Sequence, residues 1–332
     1  MFNKMMSLKN ISSKIITNEA KKNWFKVEII SEEHDIFYLE KEWKKVLFKN
    51  IDCWLNNSLS VKFARQKKLT YIMLENHNIK VPKSLYINKK TKEIEKLIKE
   101  NKLVFPLVVK PSIWEHWNWV SVNIKNKEQL KNAIIKAFKY NNEIIIQEFF
   151  KWSDYRVFCV NNKVLAVMKR IPAYILWDWK KTIKELIKIE NKREERWNWH
   201  EKWLSKILVD KDVIKQLKTL DLDIKHIPKR NEKVFVRKNA NLSTWWVSID
   251  ETDKINPEIK KMCEKASKIL WLKICWIDYL SENISKPLSK QKWGIIEINH
   301  TPWLRGHHFP FKGKPRNIAK EIIKLAFSNI KI

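Results

Sequence analysis

Two apolar patterns alternate along the chain. Short apolar runs bounded by turn residues read as buried strands, and stretches whose apolar residues recur every three or four positions read as one-faced helices. Alternating pieces at 25–30, 35–39 and 45–48 predict a small strand-rich lead-in. Over 61–78, Phe63, Leu69, Ile72, Met73 and His77 share one helical face with basic residues opposite, and Val81-Pro82 ends the helix. The pattern then predicts a helix near 91–101, strands at 103–109 and 120–124, a helix over 127–140 and a strand at 143–149. Further on it predicts strands at 155–160 and 163–169, a helix at 181–191 and strands near 233–237. A helix at 257–271, strands at 273–280 and 293–299, and a closing helix after Pro315 complete the reading. The segment 192–231 is charged and weakly patterned, which predicts a surface excursion, and no internal repeat is visible. Strands and helices mixed with several hairpins predict an α+β fold with antiparallel pairing.

Composition changes this picture at one point. A chain of 332 residues with 44% hydrophobic content can build a real core. It has only three Gly and 18 Trp, where average usage predicts on the order of 23 glycines. The two counts together come close to that figure. The tryptophans also stand where turn chemistry asks for glycine, as in Trp177-Asp-Trp179, Trp197-Asn-Trp199, Trp245-Trp246 and Trp303 after Thr301-Pro302. One reading is a gene that uses UGA for glycine; the other is a truly Trp-rich protein with aromatic ligand platforms.

The formal net charge of +30 raises a nucleic-acid reading, with salt-sensitive binding to DNA or RNA as its signature. The excess is mostly lysine spread along the chain, beside abundant Ile and Asn, a pattern of AT-rich codon usage, so nucleic acid is not the expected partner. Cys53, Cys159, Cys263 and Cys275 have no CxxC or metal spacing, which predicts a reduced compartment. With no signal-peptide pattern and no apolar run of about 18 residues, the expectation is a soluble, cytoplasmic protein without a membrane partner.

Several stretches could carry chemistry. Lys110 ends an apolar strand, where its ammonium could meet phosphate oxygens as a point charge, though a strand-end lysine is usually just solvated. The loop that follows, from Ser112 through His116 to Val120, holds Trp114, Trp117 and Trp119; with glycine there it would lay successive amides on phosphates. Gln147, Glu148, Phe149 and Phe150 end a strand beside Asp154 and Arg156, a place for a purine and a ribose or simply an edge strand and turn. In the strand 293–299, Glu297 and Asn299 share a face, and Asp278 lies in an otherwise apolar strand, where an unpaired carboxylate is costly to bury. Mg²⁺ accepts such oxygen ligands; a salt bridge from Asp278 to a lysine is the competing reading. Arg237 through Trp246, with Asn241 inside, reads as a strand and tight loop, a second anion nest if 245 and 246 are glycine. Arg305 follows the Glu/Asn strand within reach of a carboxylate or phosphate, and His307 and His308 read as surface loop residues.

Taken in order, these motifs resemble the ATP-grasp ligases from about Lys67 to Phe327. Within them the chain is most similar to the ATP-grasp portion of cyanophycin synthetase, and next to the glutathione synthetase domain of bifunctional enzymes. The resemblance rests on Val-Val-Lys110-Pro with its His116 loop, Arg237-Lys-Asn-Ala-Asn241-Leu-Ser-Thr, and Cys275-Trp-Ile-Asp278. It continues through Glu297-Ile-Asn299-His-Thr-Pro302-Trp-Leu-Arg305 and Gly313-Lys-Pro315-Arg. The family's glycines in these motifs stand here as Trp, with Gly313 kept.

The resemblance implies an ATP-grasp fold with a lead-in at 1–62, a first lobe at 63–150 and a second at 151–330, holding ATP between two lobes. Lys110, Ser112, His116, Trp117 and Trp119 would bind the phosphates, Glu148, Phe149 and Phe150 the adenine, and Asp154 the ribose. Asp278, Glu297 and Asn299 would hold two Mg²⁺, with Mn²⁺ an alternative. Arg237, Asn241 and Arg305 would be the catalytic residues at the acyl phosphate or the substrate carboxylate. The implied partners are amino-acid or peptide substrates, with a homo-oligomer left open. The Mur-ligase-like domain of cyanophycin synthetases has no counterpart in these residues, so a single-site amino-acid or peptide ligase is expected rather than polymer synthesis.

Overall fold

A computed structural model of the chain describes residues 8–112, 120–150, 152–172, 174–176, 180–192, 196–197, 204–205, 207–229, 233–236 and 247–328. It forms two compact units. One comprises Met1–Trp54, Leu165–Asp253 and Pro302–Ile332, and the other Leu55–Val164 and Lys254–Thr301. Among the described residues no helix is long and apolar enough to cross a membrane.

The first unit opens with helix α1 (Ile11–Lys22), capped by the Asn10 side chain, which accepts the Ser12 N–H. The lead-in reading missed this helix, although Asn10 followed by Ile15, Ile16 and Ala20 carries its cap and its buried face. Strands β1 (Lys26–Ser31), β2 (Ile36–Lys41) and β3 (Lys44–Lys49) then form an antiparallel meander. Phe37 on β2 is buried and stacks on Phe48 of β3.

In the second unit, α2 (Ser58–Arg65) and α3 (Lys67–Glu75) replace the single helix predicted over 61–78. Gln66 breaks it with an extended backbone, φ −106° and ψ 97°, while the Thr70 hydroxyl bonds back to the Phe63 carbonyl across the break. Strand β4 (Ser84–Asn88), helix α4 (Ile94–Glu100), strands β5 (Leu107–Pro111) and β6 (Ser121–Ile124), helix α5 (Lys127–Phe138) and strand β7 (Glu143–Glu148) follow. The four strands pair antiparallel in the order β4-β7-β5-β6. The alternation seen in sequence sends Leu107 and Val109 into a core shared with Ile98 of α4 and Leu130 of α5. Strand β8 (Ser153–Val160) also belongs to this unit.

Strands β9 (Lys163–Ile171) and β10 (Tyr174–Leu176), helix α6 (Ile183–Glu190), the short strands β11 (Arg196–Trp197) and β12 (Leu204–Ser205), helix α7 (Lys211–Lys218), and strands β13 (Lys233–Phe235) and β14 (Val247–Asp250) come next. A full capping box, Thr182 with Glu185, starts α6. The segment 192–231 is therefore more than a surface excursion. Ile207, Val213 and Leu217 are buried with Ile183, Ile187 and Val234 in a core of their own.

Helix α8 (Pro257–Ile269) and strands β15 (Ile274–Ser281) and β16 (Trp293–Asn299) return to the second unit, and α9 (Arg305–His308) and α10 (Ile318–Ala326) close the first. β15 lies between β8 and β16, antiparallel to both. Its side chains are buried almost without alternation, as a central strand covered on both faces requires. The Asn56 side chain ties the ends of this sheet together, donating to the Ile274 and His300 carbonyls and accepting the Lys273 and Ile274 N–H groups.

Candidate functional site

Within the second unit one cleft gathers most of the motif residues. Its lining comes from β5 (Val108, Lys110), β6 and the residue before it (Val122, Val120), and the end of β7 (Gln147, Glu148, then Phe149 and Phe150). Lys67 of α3, Asp154 of β8, Leu280 of β15, and Ile296 and Glu297 of β16 complete it. One end is apolar and aromatic, the other charged.

The charged end is built on strand register. Asp278 on β15 stands opposite Arg156 on β8 and Glu297 on β16, so Arg156, Asp278 and Glu297 form one row across three strands. Asp278 is 1% exposed and is gripped by both arms of the Arg156 guanidinium, Nε to Oδ1 at 3.0 Å and Nη2 to Oδ2 at 3.3 Å. This two-point pair satisfies the buried carboxylate in the geometry guanidinium suits best. The salt-bridge reading of Asp278 thus holds, with an arginine rather than a lysine as partner. Arg156 also lies over the Trp276 ring, its guanidinium carbon 3.4 Å from the ring centroid.

Two lysines face the row. Lys67 is buried and its Nζ meets Glu297 Oε1 at 3.1 Å. Lys110 is equally buried but makes no ion pair among the described residues. Burial, and then the positive charge of Lys67, push its pKa down to about 7, with Glu297 pulling back weakly. Burial and the neighbouring Lys67 thus disfavour the charged form of Lys110, which a nearby anion would restore.

At the aromatic end, Phe150 and Trp152 stack with ring centroids 4.2 Å apart and planes 8° from parallel. Gly294 backs Phe150 so closely that a Cβ there would lie 3.2 Å from its Cε2. Behind them runs a buried hydrogen-bond chain: Gln147 Nε2 donates to the Tyr71 hydroxyl (2.9 Å) and to Ser84 Oγ (3.0 Å), and Tyr71 donates to the Ile296 carbonyl (2.8 Å). Burial holds the Tyr71 hydroxyl far above its usual pKa, so it stays a donor. Glu148 accepts the Lys83 N–H through Oε2.

The cleft therefore brings together Lys110, Glu148, Phe149, Phe150, Asp154 and Glu297, with Asp278 next to Glu297 in the row. Ser112 is buried just past β5, and its Oγ has no hydrogen-bond partner among the described residues. Asn299 ends β16 two positions beyond Glu297. Arg305 belongs to the first unit, where it is buried, its Nε has no partner among the described residues, and burial lowers its pKa to about 10. His116, Trp117, Trp119, Arg237 and Asn241 lie outside the described residues. The surface reading of the two histidines is corrected: His307 is buried, and His308 Nε2 accepts the Ala319 N–H at the start of α10. Burial lowers the His308 pKa to about 4, which keeps that nitrogen an acceptor at neutral pH. Lys67 and Arg156 went unassigned in the sequence because nothing local distinguishes one lysine among many, or shows which carboxylate an arginine will face.

Residues 64–174 match the RimK-like ATP-grasp domain family, so the chain carries an ATP-grasp domain and has the ATP-grasp fold. The similar curated proteins are more specific. Cyanophycin synthetase of Crocosphaera subtropica is 34% identical over 284 residues, which is 84% of this chain and 32% of that protein. The glutathione biosynthesis bifunctional protein of Clostridium perfringens is 30% identical over 323 residues, 96% of this chain and 41% of that protein. Among solved structures, a bifunctional glutathione synthetase from Pasteurella multocida superposes with a TM-score of 0.76 at 25% identity, covering 97% of this chain and 44% of that one. The chain thus resembles ATP-grasp ligases, and it spans less than half the length of these relatives.

Proposed function

We propose that the chain is a Mg-ATP-dependent carboxylate-amine ligase, similar in reaction to cyanophycin synthetases and glutathione synthetases. The observation that carries this reading is the cleft itself. Two buried lysines stand over a pair of register-matched carboxylates, next to an apolar aromatic end, in a chain with an ATP-grasp domain.

In this reading the adenine lies among Phe149, Phe150, Leu280 and Ile296, with the Glu148 backbone beside it and Asp154 toward the ribose. Lys110, Lys67 and Ser112 face the phosphates. The oxygens of Glu297, Asp278 and Asn299 are hard donors of the kind Mg²⁺ takes, and the Lys67 ammonium at Glu297 already marks a place for positive charge. When bound, Mg²⁺ would neutralise phosphate charge as the γ-phosphoryl group transfers.

The substrate carboxylate oxygen attacks the γ-phosphorus. The bond to the β–γ bridging oxygen breaks with its electron pair, releasing ADP and leaving an acyl phosphate. An amine nitrogen then attacks the acyl carbon and loses a proton, the carbon–oxygen bond to phosphate breaks, and inorganic phosphate departs as the amide forms. Lys110 and Lys67 stabilise charge on the phosphoryl oxygens, so most of the rate comes from positioning and electrostatics.

The test is ADP release by the purified chain, with Mg²⁺ and ATP, across a panel of amino acids and dipeptides offered as acid and amine. Stimulation by a specific pair, with an amide product of matching mass, is the expected result. Background release with every pair refutes the ligase reading.

A further inference from the structure

The structure assigns a backbone to several tryptophans that this side chain fits poorly. Trp24, Trp54 and Trp271 have φ of 64°, 68° and 51°, in the left-handed region where a Cβ crowds its own backbone and where a bulky side chain is an outlier. Two of the three occupy one recurring position. Trp24 follows the C-cap of α1: its N–H bonds the Lys21 carbonyl, and the Phe25 N–H reaches back to Ala20, both at 3.1 Å. Trp271 does the same after α8, bonding Lys268 while the Leu272 N–H reaches Ser267, both at 3.0 Å. This paired bonding is the Schellman ending of a helix, whose left-handed residue is usually glycine.

Packing offsets little of the strain: Trp271 stacks on Phe63 with ring centroids 6.5 Å apart, while the side chains stay largely exposed. Trp24, Trp54 and Trp271 are 89%, 79% and 56% exposed, and Trp43, at the β2–β3 hairpin tip, is 73% exposed. Many other left-handed positions hold Asn or Asp, such as Asn50, Asn78, Asn123 and Asp221, the side chains that tolerate this conformation best. Glycine, which would satisfy every one of these places, occurs only three times in the chain.

We propose that the native residue at 24, 54 and 271 is glycine, encoded by UGA in a genetic code that reads this triplet as glycine, and that the Trp-containing chain is a translation under another code. The same codon at 152 would remove the ring stacked on Phe150. The inference rests on backbone geometry and composition and stands apart from the ligase reading.

Peptide mass spectrometry of the protein purified from its native source decides it. Peptides spanning 24, 54 and 271 are expected to carry the mass of glycine at each position, and tryptophan at any of the three overturns the proposal. A second measurement uses the Trp-containing chain made recombinantly. Trp24→Gly, Trp54→Gly and Trp271→Gly should each raise the thermal midpoint, by about 2 °C for a chain of this size, and a fall at any of them overturns the structural basis. Neither result depends on turnover, so failure here is distinct from failure of the ligase reading.

Discussion

Lys67 and Lys110 enter the same cleft with the same side chain and are handled in opposite ways. Lys67, at the start of α3, holds an ion pair with Glu297, with relative exposures of 6% and 18% for the two side chains. Lys110, at the end of β5, is buried without an ion pair among the described residues, and burial lowers its pKa to about 7. The difference lies in the partner each ammonium has among the described residues, and desolvation falls on Lys110.

Four changes break or sharpen this contrast. Glu297→Gln removes the anion shared by the row and should lower ligase turnover by about 100-fold or more; near-normal ADP release in the variant would remove Glu297 from the metal assignment. Lys110→Met should lose a comparable share of kcat/KM and yet gain stability against urea, on the order of 2 kcal/mol at pH 7. The sign follows from linkage. The folded pKa lies below the ordinary 10.5, so the unfolded chain binds more proton between about 7 and 10.5, and the burial penalty shrinks as pH rises through that window. The stability gained by the variant should therefore fade toward pH 10, and a gain independent of pH would show that Lys110 is not desolvated.

The third is a proton count. Phosphate binding should restore the charge on Lys110, so ATP binding at pH 8 should take up close to one proton by calorimetry in buffers of different ionisation enthalpy, and Lys110→Met should abolish the uptake. The smallest effect is expected at Lys67. Lys67→Met frees Glu297 from its ammonium, and the nucleotide-free protein should bind Mn²⁺ about 10-fold more tightly by electron paramagnetic resonance, consistent with a local Coulomb change of roughly 1.4 kcal/mol. Unchanged or weaker Mn²⁺ binding would mean that Lys67 does not compete for that carboxylate.

The strands that frame the cleft were legible because their apolar alternation is local: β5, β6, β7, β15 and β16 fall close to their predicted positions. The shared face of Glu297 and Asn299 was expected from strand geometry, whereas the strand position of Lys110 alone favoured a solvated side chain, and the structure buries it. The pairings that complete the charged end were not legible. Arg156 and Asp278 are 122 residues apart and Lys67 and Glu297 230 apart, and no periodicity records which ion a folded chain will set opposite which. The break at Gln66 was hidden for a similar reason. Apolar residues continue on both sides of it, and the extended backbone of Gln66 with the Thr70 bond to Phe63 shows where the chain turns. The α1 helix was available from Asn10 and its apolar spacing, and was obscured by the strand signals that follow.

All four cysteines are free and buried. Cys159 and Cys275 face each other across β8 and β15. The Cys159 thiol is pushed well up by its bond to Cys275 and by burial, and Cys263 by burial. Such thiols are inert toward alkylating reagents while the fold is closed. Cys53 sits in the first unit and the other three in the second, so the molecule carries its own clock. A timed pulse of iodoacetamide, read peptide by peptide, would record which unit opens first without any added label.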